Sequence, residues 1–251
     1  MATVTPKPEA PVAKRLQWGD GGTFEAVDDC GEIRVIDSWL VNDGRTRAID
    51  AHLRRFSAAC VAASSADGPG VPAAGVPRAE AERFFRTALR QIPATGRWFP
   101  RAELALVNGT PRLRLWLRPA PPLAQSIRLW VPPEPDQRTC PHIKGADLAY
   151  LSALRDTAIA AGADEAVLMS PGGTVREGTT TSILWWRDEV LCAPPPDDTL
   201  LTSVTRAVLL ETAAARAIPV TFEHATPAEL TSLQVWAVNA LHGIRPVTSW
   251  L

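Results

Sequence analysis

Apolar and polar residues alternate along GEIRVIDSWLV from Gly31, which predicts a strand running into the turn Asn42-Asp43-Gly44. The period then lengthens. Leu53, Phe56, Cys60 and Ala63 fall on one helical face, so the turn reads as a hairpin feeding a helix. After a Gly-, Pro- and Ala-rich loop (ADGPGVPAAGVP), Phe84, Phe85, Ala88, Leu89 and Ile92 mark the buried stripe of a second helix from Arg78 to Ile92, stopped by Pro93. ELALVNG and PRLRLWLRP follow as strands, and prolines punctuate residues 118–125 before strand character resumes in SIRLWV.

Beyond that break, HIKGADLAYLSALRDTAIAAG predicts a helix with Leu148, Leu151, Leu154 and Ile159 facing in and Gly162 at its end. EAVLMS, the turn PGGT, TSILWW and EVLCA read as a small antiparallel meander. Ser203-Val204-Thr205 opens a helix to about Ala217, and Thr226-Pro227-Ala228-Glu229 is a capping box ahead of the strand QVWAVNA. Strands and helices interleave with frequent hairpins, which predicts an α+β fold in two domains. The expected division is a mobile tail over residues 1–15, a small α+β domain over 16–118, a linker over 119–125 and a larger domain over 126–251.

Composition narrows the function. A chain of 251 residues, 46% hydrophobic and 21% charged, can bury a real core. No apolar run approaches the roughly 20 residues that span a bilayer, and no signal peptide is visible, so a soluble, cytoplasmic protein without a membrane partner is expected. A net charge of −1 offers no bulk field for a polyanion, which argues against nucleic acid as a partner. Cys30, Cys60, Cys140 and Cys192 show no metal-ligand spacing and read as reduced structural thiols, with no metal site expected.

Of 26 basic residues only Lys7, Lys14 and Lys144 are lysine, and Lys144 is the one expected inside the folded body. A lysine retained among arginines points to amine chemistry that a guanidinium cannot perform, although a chance surface lysine gives the same count. The second half offers three parts together: Lys144 in a loop before a helix, Glu177 in VREGTTTS after a turn, and the free amides of the helix start at Ser203-Val204-Thr205. A pyridoxal 5'-phosphate site needs those parts. The amine bonds the aldehyde, the carboxylate keeps the pyridine nitrogen protonated, and the helix start cradles the phosphate.

HIKGADLAYL, GGTVREGTTTSILWW, LLTSVTRAVL and VNALHGIRPV, in that order, resemble the class IV aminotransferase family, which includes branched-chain and D-amino-acid aminotransferases and aminodeoxychorismate lyase. IDSWLVNDGRTRAIDAHLRRF looks like the family's strand, turn and His-x-x-Arg helix, with the pair at His52 and Arg55. The resemblance spans about residues 31 to 251. It implies a two-domain homodimer of the D-amino-acid aminotransferase-like pyridoxal-phosphate fold type IV, with the site between the domains. It also implies that Lys144 is the catalytic lysine, Glu177 faces the pyridine nitrogen, Arg55 with Val204 and Thr205 holds the phosphate, and Asn239-Ala240 closes its other side.

The chain departs from the family pattern in places. Ser182 stands where the family commonly has asparagine, and Tyr150 follows Lys144 by six residues instead of five. GEIRVIDS lacks the family's aromatic and glycines, while WGDGGTFE at Trp18 to Glu25 imitates them too far upstream. The Asn239-Ala240-Leu241 loop looks closest to aminodeoxychorismate lyase. The expected reaction is therefore release of pyruvate from a small-molecule amine, giving para-aminobenzoate. The alternatives are an aminotransferase of the family and an inactive dimeric binding protein of the same fold. Arg97, Arg112 and Arg114 are candidate substrate-carboxylate ligands, with Arg101 and Arg118 beside them; an arginine-decorated sheet face is the bland reading for at least two of Arg112, Arg114 and Arg118.

Overall fold

The structure, a computed structural model, describes residues 12–28, 31–63 and 75–251. Most of the expected tail, Cys30 and most of the Gly-, Pro- and Ala-rich loop lie outside the described residues. The first half runs β1 (Lys14–Trp18), β2 (Phe24–Ala26), β3 (Glu32–Ser38), β4 (Val41–Asn42), β5 (Arg45–Thr46), α1 (Ile49–Ala62), α2 (Arg78–Leu89), β6 (Arg97–Trp98), β7 (Arg101–Val107) and β8 (Thr110–Leu117). The second half runs β9 (Ile127–Trp130), α3 (Leu148–Ala160), β10 (Glu165–Met169), β11 (Val175–Gly178), β12 (Ser182–Arg187), β13 (Val190–Ala193), α4 (Val204–Ala215), β14 (Val220–Phe222), α5 (Pro227–Leu230), β15 (Gln234–Asn239) and β16 (Gly243–Trp250).

In the first half an antiparallel sheet of order β2-β1-β8-β7-β3 carries α1 and α2. Phe56, Phe84 and Phe85 are fully buried between the helices and the sheet, joined by Trp39. Each such side chain contributes about 2 kcal/mol of burial. The predicted turn is present. Asp43 (φ 47°) and Gly44 (φ 73°) both take positive φ between the paired Asn42 and Arg45, the backbone that a two-residue hairpin loop requires. It places α1, and with it His52 and Arg55, behind the last residues of β3.

The second half is built on a mixed eight-stranded sheet of order β11-β10-β9-β16-β15-β12-β13-β14. Its main core holds Ile127, Leu129, Ile183 and Trp185, and α4 packs beside Leu184 and Val238. Ile143 belongs instead to the first core, although it lies beyond the proline-rich break. The capping box at Thr226 is complete, with the Glu229 amide bonded to the Thr226 hydroxyl and the Glu229 side chain returning to the Thr226 amide.

Three local expectations are corrected. Lys14 and Arg15 lie in β1, paired with Leu117 and Trp116 of β8, so the ordered fold starts inside the expected tail and Lys144 is not its sole lysine. Ile159 is 48% exposed; Ala158 faces the sheet in its place, because α3 lies on β10 through a narrower stripe than its leucines suggested. The meander is interrupted. β11 pairs only with β10 at one end of the sheet, whereas β12 pairs with β13 and β15 farther along it.

Candidate active site

A cavity of about 1250 Å³ opens where the two halves meet. Lys144, Glu177, Arg55, Val204, Thr205, Asn239 and Ala240, distant in sequence, all line it.

Lys144 sits on the turn before α3, and its main chain is gripped from the other half: the Ile36 amide donates to the Lys144 carbonyl at 2.7 Å. Gly145 makes that approach possible. Its φ is +115°, and a Cβ there would meet the Ile36 nitrogen at 2.8 Å. Burial and then the Arg55 charge push the Lys144 amine below its ordinary pKa, while Asp37, Glu177 and Glu165 pull the other way. The amine is therefore readier to lose its proton than a surface lysine.

Glu177 comes from β11 and is buried. Its Oε1 accepts from Arg138 Nη1 at 2.8 Å and from the Leu201 amide at 3.0 Å. Burial raises its pKa, opposed by Arg138, the Leu201 amide and Lys144. Arg138 is itself fixed by Asp136 and by the Thr199 carbonyl, at 2.9 Å each from Nη2. Sequence reasoning missed Arg138 and Asp136, which lie in a proline-rich loop without periodicity.

At the next wall, Ser203 caps α4 by accepting the Arg206 amide, and Ser203, Val204 and Thr205 present the helix start to the cavity. Arg55 reaches the same place, with Nη1 donating to the Thr202 carbonyl at 3.1 Å. Behind it lies Asp37, fully buried. Burial alone would raise its pKa, yet Arg55 and His52 hold it at about 2. Asn239 folds its own turn, Oδ1 accepting the Leu241 and His242 amides at 3.1 and 2.8 Å. The Ala124 amide donates to His242 Nδ1, and burial with Arg245 and Arg155 lowers that imidazole to about 4, so it is neutral with its proton on Nε2.

The arginines sort differently from the expectation. Arg97 and Arg112 are exposed, Arg114 is buried with Nη2 on Gln17 Oε1 at 3.0 Å, and none of the three lines the cavity. Arg112 and Arg114 share their strand face with Arg118, but only its far end opens inward. Arg101 and Arg118 line the cavity. Arg118 stacks on Trp116 at 4.2 Å, with Arg101 and Arg15 over the same ring at 4.7 and 5.0 Å. Burial and its like-charged neighbours push Arg118 down to about 10, while Glu103, the buried carboxylate that pairs with Arg15 and Arg101, acts in the opposite direction.

Two departures from the family pattern also find their place. Ser182 is buried, and the turn ahead of it is held by buried Glu165, which accepts from the Thr180 amide at 2.5 Å and the Thr181 hydroxyl at 2.9 Å. Tyr150 lies off the cavity, its hydroxyl accepting the Gln137 amide at 3.3 Å. Trp18 to Glu25 forms the edge hairpin of β1 and β2, also off the cavity.

These residues fit pyridoxal 5'-phosphate: an amine of lowered pKa, a buried carboxylate, and an arginine beside a helix start share one cavity. The Thr179 hydroxyl, buried without a partner, also lines it. Among the described residues no helix is long and apolar enough to cross a membrane, and no group of three His, Cys, Asp or Glu could hold a metal. Cys60, Cys140 and Cys192 are free thiols.

Comparison with known proteins agrees with the geometry. The fold is shared with an aminotransferase from Brucella abortus bound to the cofactor PLP (15% identity, 94% of this chain and 91% of that one, TM-score 0.73). It is shared equally with a branched-chain aminotransferase from Thermoproteus uzoniensis (18%, 94% and 86%, 0.75) and with a candidate 4-amino-4-deoxychorismate lyase from Legionella pneumophila (19%, 88% and 83%, 0.69). No curated protein matches the sequence. The profile of the family Amino-transferase class IV matches residues 34–250. The chain therefore belongs to the class IV aminotransferases, a family of pyridoxal-phosphate-dependent enzymes.

Proposed function

We propose that this enzyme is an aminodeoxychorismate lyase-like member of the family, releasing pyruvate from an amine that bears carboxylates and leaving para-aminobenzoate. The observation that carries the reading is that Arg101 and Arg118 line the same cavity as the cofactor set, while one carboxylate, Glu103, pairs with Arg15 and Arg101 and leaves Arg118 without an ion-pair partner among the described residues. Such an arginine pair suits an anionic substrate group. The Asn239-Ala240-Leu241 turn, which looks like that of the lyase, is consistent with the same substrate.

When bound, pyridoxal 5'-phosphate supplies an electron sink for charge developing beside the substrate nitrogen. Lys144 Nζ takes the proton from the ring carbon that carries that nitrogen, its lowered pKa favouring the neutral base. The carbon–oxygen bond to the three-carbon side chain then breaks, that unit leaves as pyruvate after gaining a proton, and the ring becomes aromatic. No co-reactant is consumed. Arg55, Val204 and Thr205 hold the phosphate, Glu177 faces the pyridine nitrogen, and Arg101 and Arg118 orient substrate carboxylate. The protein acts in solution as a cytoplasmic homodimer of two-domain subunits, with residues 119–125 as the linker in each.

The test is pyruvate release from aminodeoxychorismate by the cofactor-loaded protein with no keto-acid acceptor. Equal amounts of pyruvate and para-aminobenzoate are expected, and Lys144→Ala abolishes both together with the yellow colour of lysine-bound cofactor. Yellow protein that yields neither product moves the assignment to transamination, the reading that the same lysine and carboxylate support. Protein that stays colourless with added cofactor moves it to an inactive binding protein.

A further inference from the structure

Strand β3 carries EIRVIDS, from the stretch that lacks the family's aromatic and glycines, yet two adjacent residues of it reach opposite parts of the site. The Ile36 amide holds the Lys144 carbonyl at 2.7 Å. Asp37 turns the other way, into the first core. Its Oδ2 accepts from Arg55 Nε at 2.8 Å, and its Oδ1 accepts from Arg55 Nη2 at 2.8 Å and faces His52 Nδ1 at 2.7 Å. The side-on pair fixes the plane of the guanidinium, and the Thr202 carbonyl fixes its far end. Three of the five N–H donors of Arg55 are thus used to orient it, leaving two for an anion at the start of α4.

We infer that Asp37 is a positioning residue, which presents Arg55 to the cofactor phosphate from the same stretch of β3 that holds the main chain of Lys144. The inference rests on the assignment of Arg55 to that phosphate. Asparagine is nearly isosteric but cannot replace the acid here. Its single oxygen accepts fewer bonds than the three donors supply, and its amide hydrogens would face N–H groups. One strand thereby sets the spacing between the amine and the phosphate grip.

Titration of the apoprotein with pyridoxal 5'-phosphate and, separately, with pyridoxal tests this, because the two ligands differ only in the phosphate. Asp37→Asn is expected to weaken binding of the phosphorylated ligand about tenfold or more, the scale of losing one oriented charge-assisted contact, while pyridoxal binding changes less than about twofold. Arg55→Met should collapse the same ratio, and the double variant should be no worse than Arg55→Met alone. A general loss of structure would weaken both ligands alike and would overturn the assignment, as would an unchanged ratio in Asp37→Asn alongside a lowered one in Arg55→Met. An unchanged ratio in Arg55→Met instead removes the phosphate reading itself, and this inference with it. If Asp37→Asn does not fold, Asp37→Glu gives the same reading, since it keeps the charge and shifts the guanidinium by a methylene.

Discussion

Asp37 shows how much a single buried charge depends on its partners. With a folded pKa of about 2 against an ordinary 3.8, its ionised form is favoured in the folded state. A carboxylate shifted downward stabilises fully above its unfolded pKa, and that stabilisation disappears as pH falls from about 4 through about 2. The shift corresponds to about 2 kcal/mol. Urea unfolding of the wild type and of Asp37→Asn should therefore show a stability gap that narrows by about that amount between pH 6 and pH 2; an unchanged gap would mean that the acid is not held by Arg55 and His52. Lys144 and Glu177 were legible in the sequence because lysine is so scarce and because their order is distinctive. Asp37 was not. An acid in an alternating strand looks like a solvent-facing residue, and its partners sit 15 and 18 positions away on a helix.

Elements were readable as far as their signals are local. The Asp43-Gly44 turn, the stripes of α1 and α2 and the caps of α4 and α5 depend on neighbours in sequence, and each is present. Strand partners depend on the whole chain. Three strands in sequence with a tight turn looked like a meander, yet β9, β15 and β16 separate β10, with β11 at its side, from β12 within the sheet. The arginine face of β8 failed likewise, since alternation tells which residues share a face but not which end of it meets a cavity. At this scale Gly145 is a point of close contact, where the turn before α3 lies against the backbone of β3. Gly145→Ala introduces a Cβ 2.8 Å from the Ile36 nitrogen at a φ of +115°. The expected cost is on the order of 2 kcal/mol, together with loss of cofactor colour. Thermal unfolding followed by absorbance checks both, and a variant as stable and as yellow as the wild type would show that the two segments need not touch.

Across the whole molecule, the two cores are joined by more than the chain through residues 118–125. Ile143 is packed in the first core, its neighbour Lys144 is bonded to β3, and the His242 imidazole of the second half accepts the amide of Ala124. A protease recognition sequence inserted between Pro122 and Leu123 should give a cleaved protein that still elutes as one species and stays yellow. Separation of the fragments on gel filtration without denaturant would contradict this. The lysine proposed to do the chemistry is thus the last stitch of a seam: the strap between the halves is expected to tolerate a cut, whereas loosening Ile143 is expected to unseat the amine.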